Sequence, residues 1–144
     1  EFISDLNKNA PQLMHELYLS STVVHQAIIA QKKIIEKIAE QGSCVIVGRA
    51  ADHVLKDDPN VVRIFVHAPL EYRIGRVMEV YGDTREQAER NIARSDKARA
   101  MYYKNISGLE WGDESNYELV LDSSVGVAES ADRICGYLSA RGEG

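Results

Sequence analysis

Apolar residues recur at helical spacing through Val24, Ala27, Ile28, Ile34, Ile35 and Ile38, with Gln31 on the same face, so a helix is predicted over 21–41. Ser21 or a neighbour can cap its start, and Gly42 stands at its end. Upstream, Asn7, Asn9 and Pro11 predict a loop before a short helical piece over 11–19. A bounded apolar run at 43–48 predicts a fully buried strand of a parallel sheet. The polar turn Lys56-Asp57-Asp58-Pro59-Asn60 leads to a second strand at 61–66. Pro69 suits the first turn of a helix reaching about Tyr81. Thr84-Arg85-Glu86-Gln87 is a capping box opening another helix to about Lys104, with a break expected near Ser95. A loop over 107–116 precedes a third strand at 117–122, and a last helix spans 127–140 before a frayed tail, Arg141 to Gly144. Alternating helices and strands predict an α/β fold on a parallel sheet.

The length of 144 residues suits a single domain, 1–144. A net charge of −5 argues against DNA, RNA or anionic lipid as a partner drawn by general attraction, so any anion site must be a local group of arginines. Cys44 and Cys135 lie on a predicted strand and helix in apolar surroundings, and read as buried thiols of a reduced, cytoplasmic protein. No CxxC, HExxH or dense Cys/His group suggests a metal site, and no apolar run approaches membrane-spanning length.

Candidate chemistry concentrates in two places. Arg49 follows the 43–48 run, where ligands of open α/β sheets bind, and arginine grips phosphate bidentately. Asp52 either belongs to the same site or caps a short helix, and Arg49 either meets an anion or forms a structural ion pair. The second place is Arg90-Asn91-Ile92-Ala93-Arg94-Ser95-Asp96-Lys97-Ala98-Arg99. Arg90 and Arg94 form a like-charge i,i+4 pair unless an anion sits between them. Asp96 falls on the stripe of Ala88, Ile92, Ala100 and Tyr103 and needs a partner, with Arg99 in reach; alternatively Ser95 or Asp96 caps a second helix and the arginines are solvated. Arg73 and Arg76 suit surface salt bridges with Glu71 or Glu79. His15, His25, His53 and His67 share no ligand spacing, although His67 ends a strand and could border a site. Trp111 is either a base-stacking surface or a plug over the core, and Tyr102 and Tyr103 read as packing residues. Ser123 and Ser124 lack the His/Asp arrangement of a nucleophile.

In order and at suitable spacing, the chain resembles the cytidylate-kinase-like family of P-loop nucleoside monophosphate kinases over about 20–140. The resemblance is carried by Cys44 to Asp52, Val62 to Arg73, Asp96 to Tyr103, Trp111-Gly112-Asp113 and Asn116 to Ser124. It implies transfer of the γ-phosphoryl group of ATP, with Mg²⁺, to a nucleoside monophosphate such as CMP or dCMP. It implies a three-layer α/β/α parallel sheet with a lid at about 90–105. Arg49 matches the arginine directed at the acceptor phosphate, with Asp52 beside it. Asp96 and Arg99 match the Asp-x-x-Arg of the lid, with Arg94 and Lys97 as neighbouring charges. By this match Arg94 and Arg99 are catalytic candidates, and Arg49, Asp52, Asp96 and Lys97 are substrate-binding ones. The helix at 21–41 would flank the acceptor cleft, Gln31 being a weaker contact. Well-studied bacterial members place the aspartate directly after Gly-Arg, whereas Ala50 and Ala51 intervene here, and their lids carry more arginines.

No Gly-x-x-x-x-Gly-Lys-Ser/Thr occurs in these residues. In the family that loop follows a first strand lying between the strands assigned here to 43–48 and 61–66. The chain therefore reads as the carboxyl-terminal portion of a longer kinase, without its N-terminal strand and phosphate loop and inactive alone. Two other functions suit the same residues: a non-catalytic nucleotide-binding or regulatory module, and a P-loop kinase of another small acceptor, such as a different nucleotide or a sugar-like alcohol.

Overall fold

Phe2, Leu6, Ala10, Met14 and Tyr18 stand at i,i+4 steps, a stripe that runs into the helical pattern of 24–38. In the computed structural model, which describes residues 2–142 and side chains from Ser21 onward, this stretch is one helix, α1 (Phe2–Glu40). The loop expected around Pro11 does not form; the continuous apolar period outweighs the one backbone hydrogen bond that proline cannot donate. The described residues fall into two compact units divided between Val47 and Gly48. The first holds α1 and the segment following it.

That segment corrects the expected strand at 43–48. No strand forms there, and Val45 and Val47 are 92% and 87% exposed. A strand exists only through hydrogen bonds to a neighbour, and among the described residues none lies alongside. Cys44 is exposed on this segment and Cys135 is exposed on the last helix, so neither is a buried thiol; both are unbridged.

The second unit is built on two parallel strands, β1 (Ile64–His67) and β2 (Leu119–Asp122), paired from Ile64 with Leu119 to His67 with Asp122. A four-residue helix, α2 (Ala51–Val54), precedes β1. Between the strands run α3 (Leu70–Tyr81), with Pro69 as its N-cap residue, and α4 (Arg85–Ser107). The Thr84–Gln87 capping box forms reciprocally: Thr84 N–H donates to Gln87 Oε1 at 2.8 Å, and Gln87 N–H to Thr84 Oγ1 at 3.3 Å. α4 runs through Ser95 without the expected break. Ile74, Ala88 and Ile92, with Val77 against them, are the apolar seam between α3 and α4. The final helix, α5 (Val127–Gly142), is longer than the pattern indicated; of the tail expected to fray, Glu143 and Gly144 lie outside the described residues.

On the sheet, Phe65 packs edge-on to Trp111 with ring centres 5.7 Å apart and against Tyr117 at 5.1 Å. Trp111 is thus half-buried over the sheet, the plug of the two sequence alternatives. Gly112 has φ +83°, and a Cβ there would meet Phe65 Cζ at 3.2 Å, so this position keeps the ring where Trp111 covers it.

Candidate functional site

Gly48, Arg49 and Ala50 all have positive φ, at 73°, 58° and 52°. Glycine takes this region freely, but each L-residue held there costs about 1–2 kcal/mol. Three in succession make a left-handed turn, closed by Ala51 N–H donating to the Gly48 carbonyl at 3.1 Å. The turn feeds straight into α2, with Ala50 as N-cap residue and no side-chain cap, so Asp52 does not cap this helix. Ala50 and Ala51 are buried, whereas Arg49 is exposed and makes no hydrogen bond or ion pair among the described residues. Asp52 is engaged elsewhere: its Oδ2 accepts the Tyr103 hydroxyl at 2.7 Å. Burial, followed by this hydrogen bond, raises the Tyr103 hydroxyl well above the ordinary tyrosine value, so it remains a donor.

On α4, Asp96 is gripped from two sides. Arg73 of α3 donates from Nη1 to Oδ2 at 2.8 Å and from Nη2 to Oδ1 at 2.7 Å, a bidentate pair, while Arg99 reaches Oδ1 at 3.2 Å. The Arg73 bond, with the Arg73 and Arg99 charges, holds the Asp96 carboxyl below its ordinary value despite partial burial. The expected Asp96–Arg99 contact is therefore present, with Arg73 added. Arg73 does not pair with Glu71 or Glu79; Glu71 is taken by Arg85 at 2.6 Å. The like-charge pair finds local acceptors in place of an anion: Arg90 lies 3.7 Å from Glu86, and Arg94 donates to Asn91 at 3.3 Å. Lys97 is exposed.

Asp96, Arg99 and Tyr103 follow one another at steps of three and four, so they share one face of α4. Through Tyr103, the same helix that carries the Asp-x-x-Arg residues is bonded to Asp52, three residues beyond Arg49. No direct bond joins Arg49 to Arg94 or Arg99 among the described residues.

The other candidates are distributed more widely. His67 and Asp122 sit opposite one another at the carboxyl ends of β1 and β2; the His67 carbonyl accepts from Ser123 Oγ at 3.0 Å, and Asp122 accepts from Ser124 N–H at 2.8 Å. The Ser124 bonds hold the Asp122 carboxyl below its ordinary value. At the amino ends of the strands, a cavity of about 170 Å³ is bordered by Lys56, Asp58, Arg63, Glu118 and Arg141. Within it Arg63 pairs with Glu118 at 3.0 Å, and Arg141 donates to the Pro59 and Val61 carbonyls. Gln31 and His25 belong to α1 in the first unit, and the side chain of His15 lies outside the described residues.

Two residues of this constellation read as structural in the sequence, Tyr103 as packing and Arg73 as a surface pair. Tyr103 carries one retrospective signal, a polar-tipped ring on the buried stripe of α4 one turn beyond Arg99. Arg73 carries none, because its partner lies 23 residues away on another helix.

Comparison with known proteins agrees with the ordered motifs. The chain is 38% identical over 94 residues to the cytidylate kinase of Methanopyrus kandleri, covering 60% of this chain and 49% of that protein. It is 36% identical over 95 residues to the cytidylate kinase of Methanosarcina acetivorans, covering 65% and 51% respectively. The chain thus spans about half the length of these curated relatives. A crystal structure of an uncharacterized protein from Eubacterium ventriosum superposes with a TM-score of 0.75 at 31% identity, over 81% of this chain and 67% of that one. The profile of the cytidylate kinase-like family matches residues 3–125, more than half of the sequence, and the chain belongs to that family.

Proposed function

We propose that the intact protein transfers a phosphoryl group from ATP, with Mg²⁺, to a nucleoside monophosphate of the CMP or dCMP type. In this reading the present chain supplies the acceptor side and the lid of a three-layer P-loop fold. The observation that carries it is the Gly48-Arg49-Ala50 turn. Strained backbone at non-glycine residues clusters at functional sites, and here it presents a guanidinium with no partner among the described residues. Family membership over 3–125 supplies the chemistry that such a guanidinium would serve.

Phosphoryl transfer asks a protein for positioning and charge stabilisation more than for covalent chemistry. Arg49 would take the acceptor phosphate through two parallel N–H donors. Arg99, whose contact with Asp96 occupies only one of its nitrogens, and Arg94 on the exposed side of α4 would meet charge developing on the transferred group. Asp96 and Lys97 would bind substrate at the same helix, Asp96 by orienting Arg99. Asp52 belongs to the acceptor side through its position beside the turn. Residues 90–105 would act as the lid, moving as part of α4 and excluding water on closure.

The donor side does not fit residues of this chain. No Gly-x-x-x-x-Gly-Lys-Ser/Thr is present, and no group of three or more His, Cys, Asp or Glu among the described residues could hold a metal ion. We therefore place the ATP phosphates and Mg²⁺ on residues outside this chain, in keeping with its span of about half its relatives.

The test is ATP-to-CMP transfer by the protein from the complete reading frame, alongside the 144-residue chain. Transfer by the former and none by the latter is expected, with Arg49→Ala raising the KM for CMP by at least about tenfold, the scale of one lost charge-assisted contact. Absence of transfer to any nucleoside monophosphate, with CMP binding retained, would replace this reading with a non-catalytic nucleotide-binding module.

A further inference from the structure

A helix of four residues cannot hold its own geometry, since nucleation fixes several torsions for a single hydrogen bond. Yet α2 is entered through three left-handed residues, two of them bearing side chains. Such a turn survives only where its surroundings over-determine it. Within the turn and helix, Ala51 N–H bonds to the Gly48 carbonyl, and His53 and Val54 N–H groups bond to the Ala50 carbonyl, each at 3.0–3.1 Å. These bonds are local and would also form in a segment free to swing. Among the described residues, one side-chain hydrogen bond joins residues 48–54 to another element: Tyr103 Oη to Asp52 Oδ2, 2.7 Å, from a tyrosine only 4% exposed.

Tyr103 lies one helical turn past Arg99 on α4, and the described bonds do not connect Arg99 to Arg49 by any shorter route. We propose that Tyr103 is a positioning residue for Arg49, acting through Asp52: this hydrogen bond, added to the packing of the buried Ala50 and Ala51, fixes the left-handed turn that holds the phosphate of a nucleoside monophosphate. The ligand half of the proposal rests on the reading of Arg49 given above; the hold on the turn does not. The Tyr103 hydroxyl thus ties the acceptor-side arginine to the helix bearing the lid residues. Movement of α4 would be felt at Arg49.

The competing explanation is that a buried tyrosine hydroxyl has simply found an acceptor. Trypsin separates the two without any ligand. Cleavage of the Arg49–Ala50 bond requires the turn to open, while cleavage after Arg133 in α5 reports opening elsewhere. In the 144-residue chain, Tyr103→Phe is expected to speed cleavage after Arg49 several-fold relative to cleavage after Arg133. Asp52→Ala should do the same from the other side of the bond. Asp52→Asn keeps an acceptor oxygen and should keep the protection. Calorimetric titration with CMP should show roughly tenfold weaker binding for Tyr103→Phe. No change at Arg49, or an equal rise at both sites, would overturn the proposal, as would weakened CMP binding with an unchanged cleavage ratio. If the cleavage order holds but the unsubstituted chain binds neither CMP nor inorganic phosphate, the phosphate assignment falls and the hold on the turn stands.

Discussion

At the scale of single residues, Asp96 shows how a carboxylate on a helix is committed by its neighbours. Two guanidiniums, one from α3 and one from its own helix, converge on it, and its side chain is only 28% exposed. Because the folded carboxyl titrates below its unfolded value, the stabilisation is in place above the ordinary value of 3.8 and is lost as the pH falls through the lower folded value. Asp96→Asn keeps the shape and removes the charge. It is expected to cost on the order of 1 kcal/mol near neutral pH, because a bidentate pair at a partly exposed site exceeds a simple surface pair only modestly. Urea unfolding of both proteins at pH 7 and at successive values below 4 checks this: the difference should shrink towards zero in acid. A difference unchanged with pH would mean that the carboxylate charge contributes nothing. Arg49, Asp96 and Arg99 were legible because each stands in a local pattern: Arg49 directly after a bounded apolar run, Asp96 on an apolar helical stripe, and Arg99 three positions on. The Tyr103–Asp52 bond was not, since its partners are 51 positions apart and either residue alone suits an ordinary core or cap.

At the scale of elements, legibility followed locality. α3 and α4 declared themselves by Pro69 and by the Thr84 box, both written within a few neighbouring positions, and α5 was placed nearly to its ends. β1 and β2 were found as apolar runs of the correct order, although their paired portions are shorter than those runs. The equally apolar run at 43–48 did not become a strand, because the property that makes a strand resides in its neighbour. Asn7, Asn9 and Pro11 misled in the opposite direction: these turn-favouring residues suggested a loop inside what is one long helix. The Thr84 box is the clearest local signal, and it sets the entry of the helix carrying Asp96, Arg99 and Tyr103. Thr84→Ala removes the acceptor for the Gln87 amide and is expected to lower stability by about 1 kcal/mol. Thermal unfolding of the chain checks it. Because α4 is one uninterrupted helix, the same substitution should also raise amide exchange through residues 85–92 more than at the Tyr103 end; equal effects at both ends would contradict local capping.

At the scale of the whole molecule, a two-stranded parallel sheet is a small base for an α/β fold, since such sheets ordinarily have both faces covered and several strands paired. The second unit nevertheless keeps a strand pair in register and a sealed seam between α3 and α4. Valines at 45 and 47 stand almost fully in solvent, in a sequence whose composition belongs inside a sheet. In the longer protein proposed above, the run at 43–48 would pair with an added strand and these side chains would be buried. Val47→Ser separates the two situations. In the 144-residue chain an exposed valine contributes little, and the change should move the unfolding free energy by less than about 0.5 kcal/mol. In the longer protein the same substitution should cost about 1.5–3 kcal/mol, the worth of burying a side chain of this size. Parallel denaturant titrations of the two proteins and their variants measure both quantities. A large loss in the short chain would mean that Val47 is already covered there; a negligible loss in the long one would mean that 43–48 never joins the sheet, and the turn bearing Arg49 would then depend on Tyr103 in both.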